Sequence, residues 1–144
     1  MSRRIDARAA RRLWWAGTGM IALSVLHLVA LGKDAIAYIA GWTGGRLWTL
    51  EHWNPPASMS PELLASNYAF WTTLGSFAAP AMALGCLLRQ RARECRGIPA
   101  ACTAIIVAWT VLATLIMQPA GFVLALIPAW LMLAATERPA KSPE

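Results

Sequence analysis

Apolar positions in this chain do not alternate with polar ones; they run on in long blocks. Leu13 to Leu31 (LWWAGTGMIALSVLHLVAL) passes nineteen residues without a fixed charge. Asn67 to Leu88 (NYAFWTTLGSFAAPAMALGCLL) is a second block, and Ile98 to Thr136 a third, thirty-nine residues long. An α-helix rises about 1.5 Å per residue, so about 20 apolar residues cross a hydrocarbon core of roughly 30 Å. The first two blocks therefore predict one transmembrane helix each. The third is too long for a single crossing, and Gln118-Pro119-Ala120-Gly121 offers the turn. Proline removes a helix donor there and glycine relaxes the backbone. The pattern predicts spans at 13–31, 67–88, 98–118 and 121–136. The expected fold is all-α: a polytopic membrane protein built as an antiparallel bundle of four transmembrane helices, with a long outer loop between helices one and two. Pro80 and Pro128 predict kinks in the second and fourth spans.

The segment 32–66 has local signals of its own. Asp34 to Gly41 (DAIAYIAG) either continues helix one or lies along the interface. Trp42-Thr43-Gly44-Gly45 reads as a turn, and Asn54 before Pro55-Pro56 must be extended. Ser60-Pro61-Glu62 reads as a helix start, with serine as N-cap, proline at the first helical position and an acid in the first turn.

Composition agrees with the block pattern. The chain is 58% hydrophobic and 14% charged, where soluble domains carry roughly 45–50% apolar and about 25% charged residues. Mean hydropathy is +0.48. A length of 144 residues suits one compact unit and leaves no room for a separate catalytic domain. The net charge of +6 would suggest nucleic acid in a soluble protein. Its placement argues for anionic lipid headgroups instead, and no nucleic-acid partner is expected.

Basic residues also set the orientation. Arg3, Arg4, Arg8, Arg11 and Arg12 precede span one against Asp6 alone, a flank of +4. Arg89, Arg91, Arg93 and Arg96 stand between spans two and three against Glu94, a flank of +3. The long loop carries Lys33 and Arg46 against Asp34, Glu51 and Glu62, or −1. Both termini are therefore expected on the cytoplasmic side of a bacterial inner membrane. Span one exceeds the 7–15 residues of a signal-peptide core, so it is expected to be retained. Cys86, Cys95 and Cys102 have no metal-ligand spacing and lie near the reducing face, so they read as free thiols.

Candidate chemistry gathers on the outer side. Gly17, Met20, Ser24, His27 and Leu31 share one face of span one, and small residues there allow close helix approach. An ionisable residue inside a span is costly and faces protein or water. His27 is thus expected to face the bundle, bonded to a carbonyl or hydroxyl, with proton handling as the functional alternative. Asp34 lies nearly on the same face, about 10 Å higher. Glu51 and His52 add an adjacent acid and imidazole, a pair capable of general acid–base work if a pocket shifts their pKa values. Trp42, Trp48, Trp53, Tyr68 and Trp71 also fall on this side, with Trp109 mid-span. They form either an interfacial belt or the lining of a pocket for an apolar ligand. No P-loop, dinucleotide fingerprint, HExxH or GxSxG motif occurs. No cofactor and no metal site are expected.

NYAFWTTLGSFAAPAMALG in span two, PAGFVLALIPAWLML in span four and GMIALSVLHLVALG in span one resemble the signatures of a small bacterial four-helix membrane family known only as a domain of unknown function. The resemblance covers nearly the whole chain except its basic ends. It implies family-typical positions at His27, Phe70, Trp71, Pro119, Gly121 and Phe122. It implies a fold and a membrane, but no reaction.

Two principal readings of function follow. The first is a scaffold or accessory subunit that binds membrane lipid, a protein partner or a second copy of itself. The second is a membrane enzyme, such as a cyclase or isomerase, acting on a lipophilic small molecule of isoprenoid or quinone type. It would use Asp34, Glu51, His52 and His27 for acid–base chemistry against the tryptophan layer. A transporter or ion pathway is a third class, and no internal symmetry supports it.

Overall fold

The hydrophobic blocks fold as helices. The structure, a computed structural model, describes residues 4–117 and 121–136, with His52 described in its backbone only. Helices α1 (Ala7–Ala35), α2 (Ile39–Thr43), α3 (Pro61–Thr72), α4 (Ala78–Arg93), α5 (Ala100–Ile116) and α6 (Phe122–Ala135) follow in chain order, with 3-10 turns at Ile36–Tyr38, Leu50–Trp53 and Pro56–Ser58. No strand occurs among the described residues. The turn expected at Gln118-Pro119-Ala120 and the charged tail from Glu137 lie outside the described residues.

Helix α1 starts on Asp6, whose Oδ1 accepts the Ala9 N–H at 2.7 Å, an N-cap that satisfies a donor left free by the first turn. The Asp34–Gly41 segment continues the helix, so that Ala7–Thr43 forms 37 near-continuous helical residues, with an apolar 18-residue window of mean hydropathy 1.7. Among the described helices this one is long and apolar enough to cross a membrane, by length and composition. Only 11% of its apolar window is buried within the protein. Helices α5 and α6 are apolar but shorter.

The second block differs from its expected form. Asn67–Leu88 is not one helix: α3 ends at Thr72 and α4 begins at Ala78. Side chains stitch the gap. The Thr73 hydroxyl donates to the Ala69 carbonyl, the Ser76 hydroxyl donates to the Thr73 carbonyl, and the Ser76 Oγ accepts the Ala78 N–H at 3.2 Å, starting the next helix. Hydroxyl groups that offer the backbone alternatives to helical bonds are the physical reason for the break. Pro80, expected to kink a continuous helix, instead occupies the first turn of α4, where a missing N–H costs nothing. Pro128 does lie inside α6.

Two compact units can be described separately: Ser24–Ala79, and the residues up to Leu23 together with those from Pro80 onward. The core of the latter unit combines Leu13, Ala16, Leu88, Ala92 and Met132. Here α1 and α4 meet backbone to backbone. A Cβ on Gly17 would stand 2.6 Å from the Gly85 carbonyl oxygen, and a Cβ on Gly85 would stand 2.7 Å from that of Gly17. Trp14 lies under two guanidinium groups, Arg89 at 4.0 Å and Arg93 at 5.1 Å from its ring centre. Arg12 reaches α6, donating from Nη1 to the Ala134 carbonyl at 2.8 Å. Helix α4 closes with Cys95 at φ 49° and a bond from the Arg96 N–H to the Arg91 carbonyl at 2.9 Å, a left-handed C-terminal cap that glycine more often fills.

Helix α5 is inverted relative to a soluble helix. Its buried residues are Thr103, Thr110 and Thr114, while Ile105, Val111, Leu112, Leu115 and Ile116 are exposed. Each buried threonine is satisfied. Thr110 donates to the Ile106 carbonyl at 2.7 Å and Thr114 to the Thr110 carbonyl at 2.8 Å. The Thr103 hydroxyl accepts from Thr136 at 3.1 Å, which ties the start of α5 to the end of α6. No buried side-chain polar atom among the described residues lacks a partner.

Candidate functional site

The unit Ser24–Ala79 holds most of the chemistry expected from the sequence. Helix α3 starts as its residues dictate: the Ser60 Oγ accepts the Leu63 N–H at 3.2 Å, and Pro61 is the first helical residue. Starting there puts Leu63, Ser66 and Ala69 on the buried side. The Trp42 indole N–H donates to the Ser66 Oγ at 3.0 Å, so the ring at the end of α2 is fixed against α3. From this anchor the aromatics form a chain. Tyr38 and Trp42 stack at 6.4 Å, Trp42 meets Phe70 edge-on at 5.6 Å, and Phe70 meets Trp71 edge-on at 5.4 Å. Edge-to-face pairs at such spacings hold aromatic clusters beyond simple burial.

The turn after α3 completes the cluster. Gly75 sits on the rings, and a Cβ there would stand 2.7 Å from Phe70 Cε1 and 2.9 Å from Trp71 Cε3. The Gly75 N–H returns to the Phe70 carbonyl at 2.8 Å. Trp42, Leu47, Trp48, Asn67, Phe70 and Trp71 together line a half-open cleft of about 240 Å³. Among the described residues its lining contains no ionisable side chain.

The loop that supplies Leu47 and Trp48 is held at its base. Arg46 Nη2 and Glu62 Oε2 stand 2.8 Å apart, and the Arg46 N–H donates to the Gly41 carbonyl at 2.9 Å. The hydrogen bond from Arg46, and then its charge, hold the Glu62 carboxyl below its ordinary value; the same pair raises Arg46.

The expected ligand-binding tryptophans divide. Trp42, Trp48 and Trp71 line the cleft. Trp53 and Tyr68 lie outside its lining, although Trp48 within it is as exposed as they are. Trp109 belongs to the other unit, edge-on to Phe122 at 5.7 Å. Of the expected acid–base residues, Asp34, Glu51 and His27 are not among the residues that line the cleft. Asp34 is exposed in the last turn of α1, and Glu51 is exposed in the 3-10 turn Leu50–Trp53. His52 shares that turn, and its side chain lies outside the description. His27 bonds a carbonyl, as its position in span one suggests: Nε2 and the Thr72 oxygen are 2.9 Å apart. Its side chain is nevertheless exposed rather than enclosed. Ser24, three residues earlier, is buried.

Three features went unread in the sequence: the Ser66 anchor, the Arg46–Glu62 pair and the inward threonines of α5. The threonines had a signal, since Thr103, Thr110 and Thr114 are spaced by seven and four residues and share a helical face. Among the described residues no group of His, Cys, Asp and Glu is placed to hold a metal ion.

The described residues form an all-helical chain with inward hydroxyls on α5 and an aromatic cleft beside α3. The chain belongs to the family of unknown function DUF6463, whose model matches residues 11–139. No curated protein and no solved structure matches it.

Proposed function

We propose that this chain is a four-crossing integral membrane protein that serves as a scaffold or accessory subunit, with the aromatic cleft gripping an apolar group of a partner or lipid. One observation carries the reading: α5 buries three threonines and exposes Ile105, Val111, Leu112, Leu115 and Ile116. In water that arrangement wastes about 25 cal/mol for each Å² of apolar surface left uncovered. In hydrocarbon it is the favourable one, because a hydroxyl must find its bond inside while leucine is at home against acyl chains. On this reading the crossings are α1, the interrupted pair α3–α4, α5 and α6. At about 1.5 Å per residue, α5 and α6 are shorter than the roughly 30 Å core and draw it thinner around them. The arginine flanks put both termini on the cytoplasmic side of a bacterial inner membrane.

The cleft favours binding over catalysis. Acid–base chemistry needs a donor within hydrogen-bond reach of the reacting atom, and among the described residues the cleft lining offers aromatic, aliphatic and amide groups. The test is a photoreactive residue in place of Trp48 on the cleft, compared with one at the exposed Ala57. Irradiation of intact membranes should give a discrete protein or lipid adduct from position 48 and none from position 57. Identical patterns from the two positions would remove the binding role.

A further inference from the structure

A second concavity lies between α1 and α6, within the unit that excludes the aromatic cleft. It is a groove of about 580 Å³, lined on one side by Arg8, Arg11, Arg12, Trp15, Thr18, Gly19 and Ala22, and on the other by Ile127 and Leu131. The α1 residues recur at three- and four-residue intervals, so they form one continuous stripe down the helix. Read from the amino terminus, that stripe runs from cations through an indole to small residues. The floor is shallow because Gly19 has no side chain: a Cβ there would rest 3.5 Å from Pro128 Cβ, so α1 and α6 touch at that level. The single hydroxyl in the wall is already used, since Thr18 Oγ1 donates to the Trp14 carbonyl at 3.0 Å. Below the arginines the groove is therefore effectively apolar.

We propose that this groove is a binding site for one anionic phospholipid, with its phosphate against Arg8, Arg11 and Arg12 and one acyl chain along Trp15, Gly19, Ala22, Ile127 and Leu131. The proposal rests on the membrane reading above and deepens it by naming the lipid class and its seat. Charge complementarity chooses the occupant. Three guanidinium groups crown one end of an otherwise apolar channel, and guanidinium forks match phosphate oxygens. Length agrees too. Arg12 to Ala22 spans about 15 Å along the helix, which is half of a roughly 30 Å hydrocarbon core and so the depth of one leaflet. Arg12 keeps its place through the Ala134 carbonyl, which leaves its other donors for the ligand. Arg8 and Arg11 are exposed. Asp6, the nearest acid in sequence, has its Oδ1 engaged in capping the helix through the Ala9 N–H.

The test is native mass spectrometry of the detergent-extracted protein titrated with phosphatidylglycerol or phosphatidylcholine of the same acyl chains. The wild-type protein should retain phosphatidylglycerol selectively. The double variant Arg8→Gln with Arg11→Gln should lose roughly thirtyfold in retention, the product of the two headgroup contacts. Arg12 is left intact because it also holds α6. Ala22→Phe, at an exposed position, should block the acyl path and lower retention with every charge still present. Helicity by circular dichroism and protection of Cys95 from outside labelling check that the variants keep fold and orientation. Equal retention of the two lipids overturns the proposal, as does indifference to Ala22→Phe. Displacement of the bound lipid by inorganic phosphate alone also overturns it, because the site would then recognise phosphate and not lipid. A protein that needs detergent for extraction yet fails to discriminate loses this site and keeps the membrane reading; one that is soluble without detergent loses both.

Discussion

The imidazole of His27 donates from Nε2 to the carbonyl oxygen of Thr72 at 2.9 Å, and Thr72 is the last residue of α3 before the backbone breaks. A helix end leaves carbonyls without intrahelical donors. In hydrocarbon such an orphan costs several kcal/mol. His27 thus supports the interruption of the second apolar block from a different helix, and it joins α1 to α3 within one unit.

His27→Leu is therefore expected to destabilise the protein in detergent by about 1–3 kcal/mol, the usual cost of an unpaired partner. The exposure of the histidine puts the expectation at the lower end of that range. His27→Gln, which keeps a donor, should recover part of the loss. Thermal unfolding followed by circular dichroism measures both variants. A leucine variant as stable as the wild type would show that water or lipid headgroups already serve the Thr72 carbonyl.

Gly17 and Gly85 make the tightest helix contact described here. A methyl group on either would stand under 3 Å from the partner's backbone oxygen, and backbone cannot rotate away as a side chain can. Gly17→Ala and Gly85→Ala should each cost about 1–3 kcal/mol through overpacking, and their combined cost should be less than additive because both act on one contact. Thermal unfolding of the two single variants and the double variant tests this. Full additivity would mean that the helices do not meet there.

The Arg46–Glu62 pair gives a pH dependence of known sign. Glu62 is held below its ordinary value, first by its hydrogen bond to Arg46 and then by the arginine's charge. A depressed carboxyl contributes stability above its unfolded value, and that stability is lost as pH falls through the folded one. The loop carrying Trp48 should therefore loosen only in acid, below the ordinary glutamate range, and tryptophan emission should shift there. Both side chains are well exposed, so the effect on overall stability is small and salt-sensitive. In Glu62→Gln the acid shift in emission should vanish. Its persistence would assign it to another carboxylate.

Much of the helical pattern was legible because burial in this chain is decided by long apolar blocks and a few caps. Asp6 was counted as a charge, and it proved to be a cap as well. Ser60-Pro61-Glu62 starts α3 as the capping preferences require. The break at Thr73–Phe77 was not legible from hydropathy, since every residue there is uncharged and the deciding events are hydroxyl-to-carbonyl bonds between neighbours. The aromatic site was half legible. Counting tryptophans on the outer side gathers Trp42, Trp48 and Trp71, but sequence distance cannot tell them from Trp53, because the loop turns twice between positions 44 and 60. Asp34 and His27, seven residues apart on α1, are both exposed, so the spacing grouped them while burial could not be read from it.

Topology is the prediction on which the proposed arrangement depends most directly, and the charge pattern fixes its sign. Four arginines follow the second apolar block, Arg89, Arg91, Arg93 and Arg96, and Arg89 and Arg93 are packed on Trp14 of α1. The basic start of α1 and the basic end of α4 therefore share one side of their unit. Cationic flanks stay cytoplasmic during insertion, so Cys95, exposed in the turn after α4, should be shielded from a membrane-impermeant maleimide in intact cells. A cysteine placed at Ser58, in the acidic loop, should be labelled. The measurement needs a background with Cys86→Ala and Cys102→Ala, because both thiols are exposed on helices flanking the same turn. Permeabilised cells should label both positions and so prove them reactive. Labelling of Cys95 in intact cells would reverse the orientation. Labelling of neither position in intact cells would place the 44–60 loop on the cytoplasmic side with Cys95, removing the crossings assigned to α1 and to the α3–α4 pair.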